Sequence, residues 1–281
     1  MKAPHTELAR AKINLALHVL GRRADLYHEL DSLVAFADAA DRLTFEPAAR
    51  TELAIGGPFA GAVPADESNL VLKAVRLMEK AFPGRIPSLR VSLEKNLPVA
   101  AGIGGGSADA AATLRAVARL AGLDAQDEAL QSLALSLGAD VPVCLVSRAS
   151  RMKGIGAEVE RLADFAPLPA MLVNPGLAVR TPEIFAALAL APGDCAFTPI
   201  PTKWDIASLR NDLTAPAIRV APEIAPVLAD LQGRPQVQLA RMSGSGATCF
   251  ALCATAEKAQ NLAEEIARDH PDWWIAATML R

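Results

Sequence analysis

The chain has 281 residues, of which 52% are hydrophobic and only 4% aromatic, and its formal net charge at pH 7 is −3. The length favours two domains, and the composition is that of a folded protein with a core of Ala, Leu and Val rather than a disordered chain. Because the net charge is slightly negative and no run of Lys or Arg occurs, nucleic acid and anionic membranes are disfavoured as main partners.

The first segment and the cysteines indicate the compartment. Residues 1–23 carry charges where a signal peptide needs an apolar core, and no stretch of about 18 uncharged apolar residues occurs. We therefore expect a cytoplasmic protein without a membrane span. The histidines show no close pairing, so no zinc site is predicted. No C-x-x-C pair occurs, and buried free thiols are expected at Cys144, Cys195, Cys249 and Cys253.

The N-terminal half begins with a strand, because apolar and polar residues alternate over residues 7–20. Lys12 and Asn14 lie on the face opposite Ile13 and Leu15. After the loop GRRADLYH, strands are predicted at LDSLVAF, DRLTFEP and TELAIGG, followed by a helix at ESNLVLKAVRLMEKAF and a strand at PSLRVSLEKNLP. A glycine-rich stretch then leads into helices from Ser107 to Leu120 and at DEALQSLALSL, followed by ADVPVCLV.

The pattern starts again near residue 162, which is where we place a domain boundary. In the second half, strands are predicted at PLPAMLVNPG, VQLARMS, TCFALCA and WWIAATML, and helices at TPEIFAALAL, PEIAPVLADL and EKAQNLAEEIARD. This alternation predicts an α+β protein with domains at residues 1–162 and 163–281.

Four of the five residues from 102 to 106 are glycine, directly before a helix. Such a loop presents backbone N–H groups and the positive end of the helix dipole, which favours phosphate. Neither common phosphate motif fits, because the P-loop lysine is absent after Gly106, and Ser107 stands where the dinucleotide fingerprint needs Gly or Ala. From spacing alone, a flexible interdomain loop or a tightly packed helix remains an alternative.

The segment PVAAGIGGGSADAA resembles the ATP-binding motif of the GHMP kinase superfamily. AKINLALHVLGRRADLYHEL and MSGSGATCFAL follow the order of the superfamily's other motifs. Together with GADVP and NPG…TP-x-x-F, they are similar to one branch, whose members phosphorylate an alcohol that carries a cytidyl diphosphate group. The resemblance covers residues 8–279. It implies the two-domain GHMP kinase fold, with a ribosomal-protein-S5-like N-terminal domain and a ferredoxin-like C-terminal domain.

The resemblance also implies an activity. ATP would be the phosphoryl donor, with Mg²⁺ bound to ATP, and the acceptor would be the 2-hydroxyl of a cytidyl diphosphate sugar alcohol in the non-mevalonate route to isoprenoid precursors. Neither nucleic acid nor a membrane is expected as a partner, and the protein would be a monomer or a homodimer. Two alternatives are another GHMP kinase, acting on a sugar, homoserine or a mevalonate-type alcohol, and a non-catalytic nucleotide-binding regulator of the same fold.

Two residues are candidates for catalysis. Asp140 follows a helix and precedes Val141 and Pro142, so from sequence it is equally a helix N-cap or a base that accepts the hydroxyl proton, and the two roles are compatible. Lys12, taken alone, is most simply an exposed edge-strand lysine. The resemblance places both residues on catalytic positions, where a cation near the hydroxyl favours its deprotonated form. Their retention argues against the regulator.

The remaining site residues are implied by the resemblance. The substrate contacts at the cytidine end are Tyr27, His28 and Phe185, the last as a stacking aromatic. The other substrate contacts are Asn14, Asp140, Thr181 and Gly244, and Gly244 shares a motif with Gly246. Thr181 also reads as a helix N-cap before Pro182, and Phe185 as a core residue. ATP contacts fall on Asn69 and Lys95 at the adenine end and on the loop residues Pro98, Val99, Ala100, Ala101, Gly102, Ile103, Gly104, Gly105, Gly106, Ser107 and Ala108.

Three places depart from the family pattern. Leu26 stands where glycine usually precedes the Tyr-His pair, which puts the local turn in doubt. Ala108 replaces a second serine of the phosphate loop. Ser147 and Arg148 stand where small residues or glycine are commoner. None of these positions is a candidate catalytic residue.

Overall fold

The computed structural model describes residues 4–123 and 128–281. Two compact units interleave along the chain. The first unit consists of Met1–Ala11, Ala40–Val99 and Gly104–Ser147, and the second of Lys12–Ala39, Ala100–Ile103 and Arg148–Arg281. Because each unit draws on three segments, the units do not follow the single boundary between residues 162 and 163, and that domain division stays a prediction.

Two long strands open the chain. Strand β1 spans His5–Arg22, as the alternation predicts, and β2 spans His28–Pro47. The two separate strands predicted at residues 30–36 and 41–47 are thus one strand, since no Gly or Pro interrupts the chain before Pro47. Both strands contribute residues to both units.

In the first unit, helices pack beside a small sheet. Strand β4 (Leu89–Glu94) pairs antiparallel with residues 42–47 and parallel with β3 (Glu52–Gly56). Its side chains alternate between buried and exposed, which is the pattern of a half-covered strand. The helices are α1 (Leu70–Ala81), α2 (Gly105–Leu120), α3 (Glu128–Leu137) and α4 (Val141–Val146), with a 3₁₀ turn at Ala60–Ala62.

Helix α2 is buried almost all round, and its alanines allow α1 and α4 to approach closely. Its predicted range is confirmed apart from an earlier start, at Gly105 instead of Ser107. The next predicted helix is confirmed from Glu128, while the predicted first residue, Asp127, lies outside the described residues.

In the second unit, four antiparallel strands lie in the order β10, β7, β9, β8. Two features were not predicted from the sequence: the short hairpin of β5 and β6, and helix α6, which contains a proline. Strand β5 also pairs with residues 30–34 of β2. The bounds are β5 (Ser150–Gly154), β6 (Glu158–Arg161), β7 (Leu168–Asn174), α5 (Thr181–Ala186), a 3₁₀ turn (Ile206–Ser208), α6 (Thr214–Val220), α7 (Ile224–Gly233), β8 (Val237–Met242), β9 (Cys249–Cys253), α8 (Ala256–Asp269) and β10 (Trp274–Leu280).

The core of the second unit is built from aliphatic side chains of its strands and of α7 and α8, among them Met171, Val173, Leu231 and Leu262. Three cysteines are buried as predicted, but Cys195 is exposed, so that prediction is wrong for this residue; Cys195 follows a turn with left-handed Gly193. Across residues 4–123 and 128–281, no helix is both long enough and apolar enough to cross a membrane.

Candidate active site

The first half of the glycine loop, Ala100–Ile103, belongs to the second unit and is fixed there by backbone hydrogen bonds. The Ile103 carbonyl accepts from the N–H of Lys12 at 2.9 Å, and the Ala101 carbonyl accepts from the N–H of Thr248 at 3.1 Å. The loop is therefore joined to β1 and to the segment after the SGSG motif. A flexible interdomain loop, one of the alternatives that spacing left open, does not describe this half.

Two glycines allow the loop and the SGSG motif to touch. Gly102 has φ +73°, and a Cβ there would lie 2.5 Å from the Ser243 carbonyl oxygen and 2.7 Å from the Gly246 nitrogen. Gly244 has φ +54°, and its Cβ would lie 2.6 Å from the Gly102 carbonyl oxygen. The Ser243 hydroxyl donates to that same carbonyl at 3.1 Å. Only glycine fits this backbone-to-backbone contact.

The second half of the loop begins helix α2 in the first unit. Gly104 is the N-cap, with φ +64°, and its carbonyl accepts from the N–H of Ala108 at 2.8 Å. The N–H groups of Gly105, Gly106 and Ser107 lie in the first turn, where an α-helix offers no internal acceptor. These donors and the positive end of the helix dipole form a geometry suited to an anion such as phosphate.

Lys12 and Asn14 lie on β1 and are both buried, with 4% and 2% of their surface exposed. The interpretation of Lys12 as an exposed edge-strand lysine is therefore wrong, because both faces of this strand are covered. Asn14 donates from Nδ2 to the Ser32 hydroxyl at 2.9 Å, and its backbone N–H donates to the Ser243 hydroxyl at 3.1 Å. Its Oδ1 is buried and has no hydrogen-bond partner among the described residues, so it offers an acceptor to a ligand.

Asp140 stands at the start of α4 in the first unit and is half-buried. Its φ and ψ of −84° and −13° are helical rather than extended, and its side chain accepts no capping hydrogen bond from α4. The N-cap interpretation is therefore confirmed for the position of Asp140, although its side chain does not cap the helix. Its role as the base that accepts the hydroxyl proton stays a prediction.

His28 and Phe185 form a ring pair in the second unit. Their ring centroids lie 4.7 Å apart with a tilt of 32°. His28 Nε2 is buried, and no hydrogen-bond partner for it lies within residues 4–123 and 128–281. Burial, and then the positive charge of Arg22, lower the pKa of His28, so the ring is held neutral. Tyr27, by contrast, is 60% exposed.

Leu26 adopts the conformation that glycine would take. Its φ is +73° and its side chain is exposed, while its N–H donates to the Arg23 carbonyl at 3.1 Å. The departure from the family pattern therefore keeps the left-handed turn and adds backbone strain. Ser147 does the same at the C-cap of α4, with φ +49°.

We expect Leu26→Gly to stabilise the protein by up to about 1 kcal/mol. Glycine removes the steric cost of the left-handed conformation, but its greater conformational freedom in the unfolded chain offsets part of that gain. Thermal unfolding measures the effect. Leu26→Ala is the matched control: it deletes the same side chain but keeps a Cβ at positive φ. If both variants shift the melting temperature equally, strain at residue 26 is not the cause.

Thr181 is the first residue of α5, and the N-cap is Arg180, so its interpretation as the N-cap is wrong. Its hydroxyl instead forms a hydrogen bond of 2.8 Å with the Ser245 hydroxyl. The structure thereby joins the start of α5 to the SGSG motif within the second unit.

Both side chains predicted at the adenine end are engaged inside the first unit. Asn69 caps α1, accepting from the N–H of Val71 at 2.8 Å and donating to the Pro64 carbonyl at 2.7 Å. The Lys95 ammonium group is buried between two carboxylates. Contact of either residue with adenine stays a prediction.

Comparison with known proteins identifies the family. Residues 69–148 match the model for the GHMP kinases N terminal domain, and residues 204–272 match that for the GHMP kinases C terminal domain. A 4-diphosphocytidyl-2-C-methyl-D-erythritol kinase of Bradyrhizobium sp. (strain BTAi1 / ATCC BAA-1182) is 48% identical, over 99% of this chain and 97% of its own. One of Cereibacter sphaeroides (strain KD131 / KCTC 12085) is 52% identical, over 95% and 96%.

The chain belongs to the 4-diphosphocytidyl-2-C-methyl-D-erythritol kinase family. A crystal structure named 4-(cytidine 5'-diphospho)-2C-methyl-D-erythritol kinase matches with a TM-score of 0.81 at 35% identity, over 98% of this chain and 99% of that one. A homoserine kinase from Cytophaga hutchinsonii matches at 0.68 and 18% identity, over 99% and 95%, which shows a shared fold alone. The GHMP kinase fold implied by the motifs is confirmed.

Proposed function

We propose that the protein transfers the γ-phosphoryl group of ATP to the 2-hydroxyl of 4-diphosphocytidyl-2-C-methyl-D-erythritol, in the non-mevalonate route to isoprenoid precursors. The observation that carries the choice of substrate is the ring pair of His28 and Phe185, which offers a pyrimidine a flat surface and a ring nitrogen without a partner. Relatives about half identical in sequence bear this kinase's name. Homoserine and mevalonate kinases are far more distant.

In the proposed reaction the acceptor oxygen forms a bond to the γ-phosphorus while the bond from that phosphorus to the bridging oxygen breaks, which leaves ADP. Asp140 accepts the proton of the attacking hydroxyl, and Lys12 stabilises the oxygen as it loses that proton. The buried Oδ1 of Asn14 accepts a hydrogen bond from a substrate hydroxyl and so orients the acceptor. These groups supply position and charge, which is most of what phosphoryl transfer requires.

The phosphates of ATP bind at the start of α2, where the N–H groups of the first turn are available to them. Among the described residues, no group of three or more His, Cys, Asp or Glu is placed to hold a metal ion. We expect Mg²⁺ to arrive bound to the nucleotide, where it would neutralise part of the charge of the β- and γ-phosphates. Cytoplasmic location and a monomeric or homodimeric state are part of the same proposal.

A coupled assay that detects ADP tests the proposal. Purified protein is given ATP and one alcohol from a panel of 4-diphosphocytidyl-2-C-methyl-D-erythritol, homoserine, mevalonate and galactose. We expect turnover only with the cytidyl compound, and a phosphate on its 2-hydroxyl by NMR. Turnover with another alcohol alone would assign a different GHMP kinase activity. ATP binding without turnover on any of them would favour the non-catalytic regulator.

Phe185→Ala should weaken binding of the cytidyl substrate by about 5- to 150-fold, because base–aromatic stacking is worth roughly 1–3 kcal/mol. His28→Ala should also weaken it, since the second ring of the pair and its Nε2 are lost. ATP affinity should stay unchanged in both variants. Titration calorimetry with each ligand measures these effects.

The matched control is His270→Ala, which breaks a second His–aromatic pair of the same unit, stacked on Trp273 at 3.7 Å. It should affect neither ligand. Equal losses for ATP and the cytidyl substrate in Phe185→Ala would remove the cytidine assignment while leaving the kinase activity in place.

A further inference from the structure

A buried charge cluster in the first unit consists of Lys95, Asp41 and Asp109. Lys95 Nζ lies 2.5 Å from Asp41 Oδ2 and 2.7 Å from Asp109 Oδ2. The three side chains are 3%, 0% and 5% exposed, so water contributes little to their solvation. Asp41 comes from β2, Lys95 directly follows β4, and Asp109 lies in the second turn of α2.

The cluster fixes the chain on both sides of the glycine loop. Asp41 Oδ1 accepts from the backbone N–H groups of Asn96 and Leu97 at 2.6 and 2.8 Å, so it holds the segment that enters the loop. Lys95 in turn forms an ion pair with Asp109, which lies in α2, so the segment that enters the loop is connected to this helix. Gly105 lies directly on the cluster, since a Cβ there would be 3.3 Å from Lys95 Nζ.

Stability alone does not explain the cluster. Burying three charges costs free energy, and an apolar group of similar volume often stabilises a protein as well or better. Here two carboxylates share one ammonium group, and Asp109 Oδ1 is buried without a hydrogen-bond partner in the part of the chain that the structure describes. Burial raises the pKa of Asp109 to about 7, opposed by Lys95 and supported by Asp41, the two charged groups that act on it. The cluster is therefore better explained by a need to place the loop and α2 precisely than by a gain in the free energy of unfolding.

We infer that Lys95, Asp41 and Asp109 are positioning residues, which hold the first turn of α2 in the geometry that binds the polyphosphate chain of ATP. The inference rests on the proposed function, because it needs ATP phosphates at this helix start. It gives Lys95 a role through the loop backbone rather than through contact with adenine. The two roles can be distinguished by measurement. A role through the loop backbone affects the affinity for a polyphosphate that carries no base, whereas an adenine contact does not.

The test compares ATP with inorganic tripolyphosphate by titration calorimetry of Lys95→Met. Because the helix start loses its tether, we expect both ligands to bind about 10- to 100-fold more weakly, by the same factor. Unchanged affinity for both ligands overturns the inference. Loss of ATP affinity with unchanged tripolyphosphate affinity also overturns it, since that outcome belongs to an adenine contact.

A second set of variants keeps the test decisive if Lys95→Met does not fold. Asp109→Leu removes the connection to α2 but leaves Lys95 paired with Asp41, and should weaken both ligands equally. Asp109→Asn should retain near-normal affinity, because its amide oxygen can accept a hydrogen bond from Lys95 and the ammonium group keeps Asp41 as its counter-charge. Equal affinity in Asp109→Leu and Asp109→Asn overturns the inference.

Leu89→Ala is the control for general loss of stability. Leu89 is fully buried and is the first residue of β4, whereas Lys95 follows the last one. Its partner on the neighbouring strand is Pro47, which does not belong to the charge cluster. This variant should lower the free energy of unfolding by about 2–5 kcal/mol without changing the affinity for either ligand. A loss of ATP affinity as large as that of Asp109→Leu would reduce the cluster to a structural role.

The pH dependence of stability gives a readout that is independent of ligand. Asp109 has a pKa of 3.8 in an unfolded chain and about 7 in the folded protein, so its contribution to stability is complete below pH 4 and is lost as pH rises to about 7. Urea unfolding from pH 4 to 8 should show this fall in the wild type, and it should be absent in Asp109→Asn. Identical profiles would contradict a buried, titrating Asp109.

The experiment separates this inference from the proposed function. Failure of the proposed function appears as no ADP formation with the cytidyl substrate by the wild type, whatever the variants do. Failure of the inference appears in a wild type that is active and whose Lys95 and Asp109 variants bind both ligands normally. A wild type that binds neither ATP nor tripolyphosphate overturns both.

Discussion

Asp140→Asn should lower kcat by roughly 10²–10⁴, while the Kd for ATP stays within a few-fold of the wild type. The amide has nearly the shape of the carboxylate but cannot accept the hydroxyl proton, and the base acts on the acceptor rather than on the nucleotide. Single-turnover kinetics at saturating ATP and cytidyl substrate measure the chemical step. Asp164→Asn, at an exposed turn, is the matched control and should have wild-type kcat.

Lys12→Ala should fall in the same range, and the double variant should lose little more than either single variant, because residues that act as a unit have non-additive effects. Lys258→Ala, on the exposed face of α8, controls for the loss of one positive charge. If Asp140→Asn retains activity within a few-fold of the wild type, Asp140 is not the base. Fully additive losses would separate the two residues into independent roles.

The structure shows where both residues lie, while their catalytic roles stay predictions. The sequence left Asp140 as a helix N-cap, as a base, or as both. The structure places it at the N-cap position of α4 without a capping hydrogen bond from its side chain, and its role as the base stays a prediction. The sequence alone favoured an exposed Lys12, since alternation in a strand is typical of one buried and one solvated face. That inference fails because β1 is covered on both sides, which depends on distant parts of the chain.

Local patterns predicted most helices and strands. The period of two in β1 and the small-residue run of α2 are properties of neighbouring residues, and such signals are readable without tertiary contacts. The hairpin of β5 and β6 was missed because each strand contains a single large apolar side chain, Met152 and Val159, which is too few to show an alternation.

The charge cluster could not be predicted from the sequence, because it depends on tertiary contacts and not on neighbouring residues. Lys95 is separated from Asp41 by 54 residues and from Asp109 by 14, so their meeting is set by the packing of β2, β4 and α2. The one signal in the sequence was Asp109 itself, a single acidic residue within the run SADAAAT. A lone charge on an otherwise apolar helix indicates either a buried partner or a functional site.

The sequence also treated the four glycines of the loop alike, and the structure separates them. A Cβ at Gly105 would point toward Lys95, and one at Gly106 would meet only Leu70 at 3.5 Å. Gly104 requires positive φ as the N-cap of α2. Gly102 combines positive φ with contact to backbone atoms of the SGSG motif, and backbone cannot move aside as a flexible side chain can. Gly102 is therefore the position where a single methyl group should do most harm.

We expect Gly102→Ala to weaken ATP binding by about 100-fold or more, because the added Cβ forces the loop away from Ser243 and Gly246, and a displacement near 1 Å has effects of that order. Gly84→Ala is the matched control: Gly84 has φ +75°, close to the +73° of Gly102, but its Cβ would have nothing within 4 Å. Both variants carry the left-handed penalty of about 1–2 kcal/mol, so the difference between them isolates the clash. Calorimetric titration with ATP, paired with thermal unfolding, measures both terms. Equal ATP affinity in the two variants would show that the contact between the loop and the SGSG motif is dispensable for nucleotide binding.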